Sequence, residues 1–341
     1  HLREPHCHPH EQQIVLLSFY LHRYLSTEPK HFAVHNEAIP DIENGEFLTK
    51  TLYLSLDPYM RGQIAGRHIS GRVDPGDILR GEAICEVIDT KHPEFAVGDI
   101  VSYFAGWQKF SKSDGQQVSK IDTRITPSSL ALGILGMPGL TAYAGLIDLG
   151  EPEAGDVLVV SAATGGVGSM VGQIGKIKGC RVVGIAGSAE KCKWALENAN
   201  FDVCLNYRED DLPTALDKAC PDGIDIYFDN VGGDILETVM EKLSLGARVI
   251  LCGLMAQYNQ DERLPGTNPA NIIRSRATVR GMDVYDHFHK QKDFVEDVLN
   301  WLDEGLITYR EDVTEGIENA PESFCRLMKG QNFGKTIIKV A

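Results

Sequence analysis

Gly165, Gly166 and Gly168 follow a continuous apolar run at 157–160 and precede Met170, Val171, Ile174 and Ile177 at helical spacing. A glycine turn between a buried strand and a helix N-terminus suits a phosphate. Without side chains the backbone is approachable, and the helix N–H groups and dipole attract negative charge. Thr164, Gly165, Gly166, Val167 and Gly168 are therefore candidate pyrophosphate contacts. The string A-A-T-G-G-V-G lacks the full G-x-G-x-x-G spacing, and a turn alone can need such glycines. Its place between strand and helix is what points to a dinucleotide. The next strand usually carries Asp or Glu when the ligand is NAD, bonded to the ribose 2′-OH. Here it ends Ile185, Ala186, Gly187, Ser188, without a carboxylate; Lys191 follows, and Tyr207 and Arg208 close the third strand. Small residues, hydroxyls and cations suit a 2′-phosphate, so NADPH/NADP+ is the expected cofactor. The bland alternative makes Lys191 and Arg208 solvated surface charges, and Glu190 opposes the phosphate reading.

Two later turns belong to the same chemistry. Asp229-Asn230-Val231-Gly232-Gly233 ends a fourth strand and Cys252-Gly253 a fifth. Ligands of open parallel sheets bind outside the carboxyl ends of the strands, so these turns should approach ribose and nicotinamide. Ordinary strand-to-helix turns would look the same.

The elements that position these residues follow from the pattern around them. Residues 14–17, 47–54, 84–87, 100–104 and 117–121 are short and strand-like, and are separated by turn residues such as Asp74-Pro75-Gly76-Asp77. They predict an all-β, barrel-like first domain. Residues 130–149 read as helices broken at Pro138 and Gly139. Strands at 157–162, 181–186, 203–206, 224–229, 247–252 and 278–283 then alternate with helices at 169–178, 189–198, 212–219, 235–242 and 269–275. That alternation predicts a doubly wound parallel sheet of about six strands. A further helix is expected at 292–302, and a returning tail, 307–341, turns strand-like again and ends in a strand at 336–340. The domains are then 1–130 plus 307–341, and 131–306.

A chain of 341 residues, 43% hydrophobic, is long enough for two such domains. A net charge of −15 without a basic block argues against nucleic acid or an anionic membrane as partner. No apolar run approaches the roughly 20 residues of a membrane span. The eight cysteines are scattered without a C-x-x-C, which fits a reducing cytoplasm. Cys85, Cys180, Cys204 and Cys252 read as core residues. The start of the chain carries His1, His6, His8, His10, His22 and Cys7. A metal site is conceivable there, but a floppy or appended terminus is the simpler reading, with 1–13 disordered.

The chain resembles the zinc-independent medium-chain dehydrogenases/reductases, in the branch of prostaglandin reductases, plant alkenal double-bond reductases and bacterial curcumin reductase. The matching segments are LSLDPYMRG (54–62), LGMPGLTAY (135–143), AATGGVGSMVGQIGKIKGC (162–180), YFDNVGG (227–233), CGLMAQYN (252–259) and LMKGQNFGKTIIKV (327–340). The resemblance implies an α/β fold: a GroES-like β-barrel domain that binds substrate, a Rossmann domain that binds NADP, and an active site in the cleft between them. It implies adenosine-phosphate contacts at Ser188, Lys191 and Tyr207. It implies ribose and nicotinamide contacts at Asn230, at the loop of Cys252, Gly253, Leu254 and Tyr258, and at Met282, Asp283 and Val284, with Asn332 reaching the cofactor from the tail. The chain departs from the family at 17–26, LSFYLHRYLS, where relatives carry Arg-Pro-x-Gly, and again at 63–77. The zinc-dependent sister enzymes carry Gly-His-Glu where this chain reads Gly81-Glu82-Ala83, and no four-cysteine lobe is present, so no metal is expected.

The expected reaction is reduction of the C=C bond of an α,β-unsaturated ketone or aldehyde, by hydride transfer from NADPH to the β-carbon. Charge then develops on the carbonyl oxygen and needs a donor. Tyr258, Tyr59 and the ribose 2′-OH are the candidates, and a tyrosine or water protonates the α-carbon. An ordinary tyrosine donates a proton but is a poor base at neutral pH, which favours reduction. Trp107, Met137 and Tyr285 are candidate apolar walls, and Arg61 is either structural or faces phosphate. A quinone reductase of the zeta-crystallin type and a non-enzymatic NADPH sensor are the alternatives. The strand at 278–283 is a candidate sheet edge, and pairing of two such edges predicts a homodimer.

Overall fold

The computed structural model describes residues 10–16, 27–260 and 266–341. The histidine-rich start lies outside the described residues except for His10, whose backbone begins a strand. So does the departure at 17–26.

The chain forms two compact units, His1–Leu132 with Val313–Lys329 and Thr336–Ala341, and Gly133–Asp312 with Gly330–Lys335. Residues 307–312 and 330–335, expected with the first domain, thus lie in the second unit.

In the first unit β1 (His10–Leu16) pairs antiparallel with β2 (Phe32–Ala38). A second sheet is built on β3 (Phe47–Ser55), followed by the short helix α1 (Met60–Ile64), β4 (Ala83–Thr90), β5 (Ile100–Tyr103), β6 (Phe110–Ser113) and β7 (Ser119–Lys120). Strand β7 is shorter than the expected 117–121, and it starts after Gln117, whose φ of 55° is a left-handed conformation that a strand cannot contain. Trp107, expected as a substrate wall, is 1% exposed. It stacks on Phe32 with centroids 6.0 Å apart and meets Phe324 edge-on at 5.7 Å. It is a core residue of this unit.

In the second unit α2 (Met137–Ala144) begins where a break was expected, because Pro138 occupies the first helical turn, which needs no N–H from it. Then follow β8 (Val157–Ser161), α3 (Gly168–Ile177), β9 (Arg181–Ala186), α4 (Ala189–Glu197), β10 (Val203–Asn206), α5 (Leu212–Ala219), β11 (Ile224–Asp229), α6 (Gly233–Met240) and β12 (Leu243–Leu251). One helical turn, α7 (Met255–Tyr258), leads to α8 (Pro269–Ser275), β13 (Thr278–Gly281) and α9 (Gln291–Asp303). The six strands are parallel, in the order β10-β9-β8-β11-β12-β13. The order reverses between β8 and β11, which opens a crevice at their carboxyl ends. Gly172 and Gly175 let α3 lie close on the sheet: a Cβ at Gly172 would sit 1.9 Å from the Phe201 ring, and one at Gly175 2.4 Å from Leu158. Strand β13 is one edge of this sheet, β10 the other, and all four residues of β13 are exposed.

The tail supplies β14 (Glu311–Glu315), α10 (Ala320–Met328) and β15 (Lys335–Lys339). Strands β14 and β15 join the first unit's sheet, in the order β14-β15-β3-β4-β5-β7. Along its other edge β3 pairs first with β6 at 47–50 and then with β15 at 53–55, so one strand holds three neighbours.

Candidate active site

The glycine loop closes on itself at the end of β8. Ala162 has φ 51°, and its carbonyl accepts from Gly165 N at 2.9 Å. A Cβ on Gly168 would lie 2.3 Å from the same carbonyl, so only glycine fits there. Ser169 Oγ donates to Gly165 O at 2.8 Å and fixes the first turn of α3. Thr164 and Gly168 are buried, whereas Gly165, Gly166 and Val167 are half-buried. Over Gly166 lies Lys335, whose Cδ would be 3.3 Å from an added Cβ, with Pro138 on the other side at 3.4 Å. The buried side chain of Lys335 thus packs its aliphatic stem on the cradle. The only sequence signal for it was a lysine opening the short terminal strand.

At the end of β9, Ser188 caps α4, its Oγ accepting from Lys191 N at 3.3 Å. Tyr207 lies against Gly187, where a Cβ would be 3.0 Å from its ring. The Arg208 guanidinium sits 5.6 Å from the Tyr207 centroid. The Lys191 ammonium donates to Gly330 O at 2.8 Å. Burial and, next, the Arg208 charge hold its pKa below the usual lysine range, against the charges of Asp312 and Glu190. Ser188, Lys191, Tyr207 and Arg208 thus form one cluster of hydroxyls and cations.

Segment 330–335 is tied to this unit at several points. Phe333 lies 3.8 Å from the Arg310 guanidinium and 6.2 Å edge-on from Trp194, one turn beyond Lys191 on α4. Asn332 is half-buried, and its Nδ2 donates to Gly334 O at 2.9 Å. Lys335 N donates to Arg310 O at 2.9 Å.

The crevice between β8 and β11 is built on Asp229, which is fully buried. Its carboxylate accepts from Ser161 Oγ at 2.9 Å, Tyr227 OH at 2.7 Å and Gly232 N at 2.9 Å. Asn230 is held in turn: its N–H donates to Ser161 Oγ at 2.8 Å and its Nδ2 to Ser161 O at 2.9 Å. The loop after β12 is laid on this strand end. Cys252 N and Gly253 N both donate to Asp229 O, and Ala256 N donates to Val231 O. A Cβ on Gly253 would meet Asn230 O at 2.8 Å. Burial pushes the Cys252 thiol up to about 12. Tyr258 ends α7, and its hydroxyl accepts from Leu254 N at 3.4 Å. Burial raises the Tyr258 pKa above its ordinary value. Met282 N donates to Leu251 O at 2.9 Å, Asp283 caps the next turn by accepting from Tyr285 N at 3.1 Å, and Val284 is buried.

All the expected cofactor contacts therefore fall in the second unit, around the carboxyl ends of its strands. Tyr59 belongs to the first, half-buried before α1, with its ring 5.0 Å from that of His68. Where zinc enzymes carry Gly-His-Glu, a Cβ on Gly81 would meet Leu54 and Trp107 at 3.0 Å, and Glu82 accepts from Ser102 Oγ at 2.7 Å. Cys85 hydrogen-bonds with Thr51 at 3.7 Å and is pushed up to about 12 by burial. Among the described residues no three His, Cys, Asp or Glu side chains group to hold a metal ion.

Comparison with known proteins places this geometry. Residues 19–121 match the family described as the N-terminal domain of oxidoreductase, and residues 166–304 the one described as zinc-binding dehydrogenase. The chain is 44% identical to the NADPH-dependent curcumin reductase of Escherichia coli, over 92% of this chain and 93% of that one. It is 39% identical to the NADP(+)-dependent 2-alkenal reductase of Nicotiana tabacum, over 89% of each. It superimposes on CurA of Vibrio vulnificus in complex with NADPH with a TM-score of 0.91, at 42% identity and over 97% of this chain and 99% of that one.

Proposed function

Because the chain belongs to the zinc-independent medium-chain dehydrogenases/reductases, in the branch of curcumin, prostaglandin and alkenal reductases, we propose the following account of its chemistry. It is an NADP-dependent oxidoreductase that reduces the C=C bond of α,β-unsaturated ketones and aldehydes. NADPH, when bound, supplies the hydride that the substrate's β-carbon receives. The residues fit that cofactor: the turn at 164–168 closes so tightly on the Ala162 carbonyl that Gly168 admits no Cβ, which leaves bare backbone at the helix N-terminus for phosphate, and cations and hydroxyls stand where an NAD site carries a carboxylate.

Thr164, Gly165, Gly166, Val167 and Gly168 bind the pyrophosphate, with Lys335 adding charge. Ser188, Lys191 and Tyr207 take the 2′-phosphate. Asn230, Cys252, Gly253, Leu254, Met282, Asp283, Val284 and Asn332 line the ribose and nicotinamide. Tyr258 donates to the developing enolate oxygen. Its hydroxyl accepts from a backbone N–H, which leaves its own proton to donate, and its raised pKa keeps that proton in place at neutral pH. Tyr59 is the second candidate donor. The observation that carries this reading is the loop at 252–258, pinned by backbone bonds to Asp229 and Val231 so that its phenol stands on the rim of the strand ends.

The exposed edge strand β13, with Val279, Tyr285 and Phe288 exposed close to it in sequence, supports a homodimer formed edge to edge. Seven free cysteines among the described residues support a cytoplasmic site of action. No described helix is long and apolar enough to cross a membrane.

The test is NADPH oxidation measured against 2-alkenals, enones, a curcumin-like dienone and quinones. Reduction of the first three classes is expected. Turnover of quinones alone would replace this reading with that of a quinone reductase.

A further inference from the structure

Two thiols meet beside the nucleotide-phosphate cluster, and the reaction above uses neither. On β10, Val203 and Leu205 pack on the apolar cluster that includes α5 and α6. Strand alternation turns Cys204 to the opposite face, the one covered by α4. On α4 the buried positions are Cys192 and Ala195, three apart on the stripe that faces the sheet. Cys192 and Cys204 thereby face each other where α4 packs on β10, close enough that each thiol sets the other's acidity. Cys192 also stands in the first turn of α4, its N–H donating to Ser188 O at 3.0 Å.

We propose that Cys192 and Cys204 are a redox modification site: a hydroperoxide converts them to a disulfide that weakens NADPH binding, and thiols restore the reduced form. The Cys192 thiolate attacks one peroxide oxygen; the O–O bond breaks, hydroxide leaves as water, and Cys192 becomes a sulfenic acid. The Cys204 sulfur then attacks the Cys192 sulfur; the S–S bond forms, the S–O bond breaks and a second water leaves. Two thiols and one hydrogen peroxide give one disulfide and two waters.

The division of labour follows from the environment. The neighbouring Cys204 thiol holds the Cys192 thiol below its ordinary range, against burial and the carboxylates of Asp210 and Glu209. The same pairing, with burial, holds Cys204 up, so it resolves rather than attacks. Cys85, Cys180, Cys220, Cys252 and Cys325 have thiols pushed up by burial and, among the described residues, no thiol partner of this kind.

A disulfide draws the two sulfurs to about 2.05 Å, well inside thiol hydrogen-bond distance. The movement is passed to the start of α4, which carries Ser188 and Lys191, and to the end of β10, just before Tyr207. The effect on the cofactor rests on the phosphate assignment made above; the disulfide itself does not.

The experiment treats the wild-type enzyme with hydrogen peroxide, maps cysteine-linked peptides by mass spectrometry, and measures the KM for NADPH before treatment, after it, and after dithiothreitol. The expected result is a Cys192–Cys204 cross-link, a several-fold rise in that KM at little-changed kcat, and reversal of both by dithiothreitol. Cys204→Ser should instead accumulate a dimedone-reactive sulfenic acid at Cys192. No cross-link, or one between other cysteines, overturns the site. A cross-link that leaves the KM for NADPH unchanged overturns its control of the cofactor. A reduced enzyme that does not prefer NADPH to NADH defeats the phosphate assignment, while the mass map still decides the disulfide.

Discussion

Ser161 and Asp229 are hydrogen-bonded at 2.9 Å across the neighbouring strands β8 and β11, at the point where the strand order of the sheet reverses. This bond fixes the carboxylate that orders the whole crevice rim. Asp229→Ala would strip Tyr227 OH, Ser161 Oγ and the Gly232 N–H of their acceptor in a dry site. The expected loss is about 3–5 kcal/mol, read as a lower urea midpoint together with weakened NADPH binding. Ser161→Ala should cost only about 1–2 kcal/mol. Equal stability of the two variants would contradict this hierarchy.

Gly168 and Ala162 make opposite predictions on one loop. Gly168→Ala forces a Cβ to within 2.3 Å of a carbonyl, and should cost about 1–3 kcal/mol and abolish tight NADPH binding. Ala162→Gly removes a left-handed penalty of about 1–2 kcal/mol against an unfolded-chain entropy cost of about 0.4–1 kcal/mol. It should be neutral or mildly stabilising in thermal unfolding.

Lys191→Ala should raise the KM for NADPH at least tenfold, a loss of about 1.4 kcal/mol, and leave the KM for NADH unchanged. The pH dependence has a definite sign. A lysine whose pKa is lowered by burial loses its charge earlier as pH rises. NADPH affinity should therefore fall on the alkaline side before an ordinary lysine would titrate, while NADH affinity stays flat. Isothermal titration across alkaline pH measures both, and parallel profiles would remove Lys191 from the phosphate site.

Tyr258→Phe keeps the ring and removes the donor. A fall in kcat of about 100-fold is expected, with the KM for NADPH little changed. If the KM rises and kcat holds, Tyr258 positions the ribose instead, and Tyr59→Phe becomes the variant to carry the catalytic loss.

Val279→Asp places like charges at the exposed edge strand β13. Light scattering should show the wild-type dimer falling apart to monomer. A wild-type monomer would end the edge-pairing proposal.

The Rossmann half was legible because its signals are local. A buried apolar strand, a glycine turn and a 3.6-residue period each fit inside about a dozen residues, and β9, β10 and β11 begin and end where the pattern places them. The strands β2 and β6 went unread: in Phe32–Ala38 only the first residue is buried, so no alternation marks it. The helix α10 was hidden in a tail whose whole length, 307–341, reads as strand-like. Trp107 looked like a pocket wall because an aromatic beside a glycine fits both roles; its partners, Phe32 and Phe324, are remote in sequence. Lys335 and the anchoring of Asp229 were invisible for the same reason: each depends on a contact made across many residues of chain.

The return of 330–335 to the second unit has a consequence for anyone wishing to cut or graft this protein. The nucleotide-binding half is not a contiguous cassette. An excised 131–306 fragment would lose Arg310, Phe333 and Lys335 together, leaving the Trp194 face of α4 bare and the glycine cradle without the lysine stem that packs on it. Swapping cofactor preference between relatives thus requires transplanting two distant stretches of gene, and a chimera joined at a single seam inherits a mismatched floor.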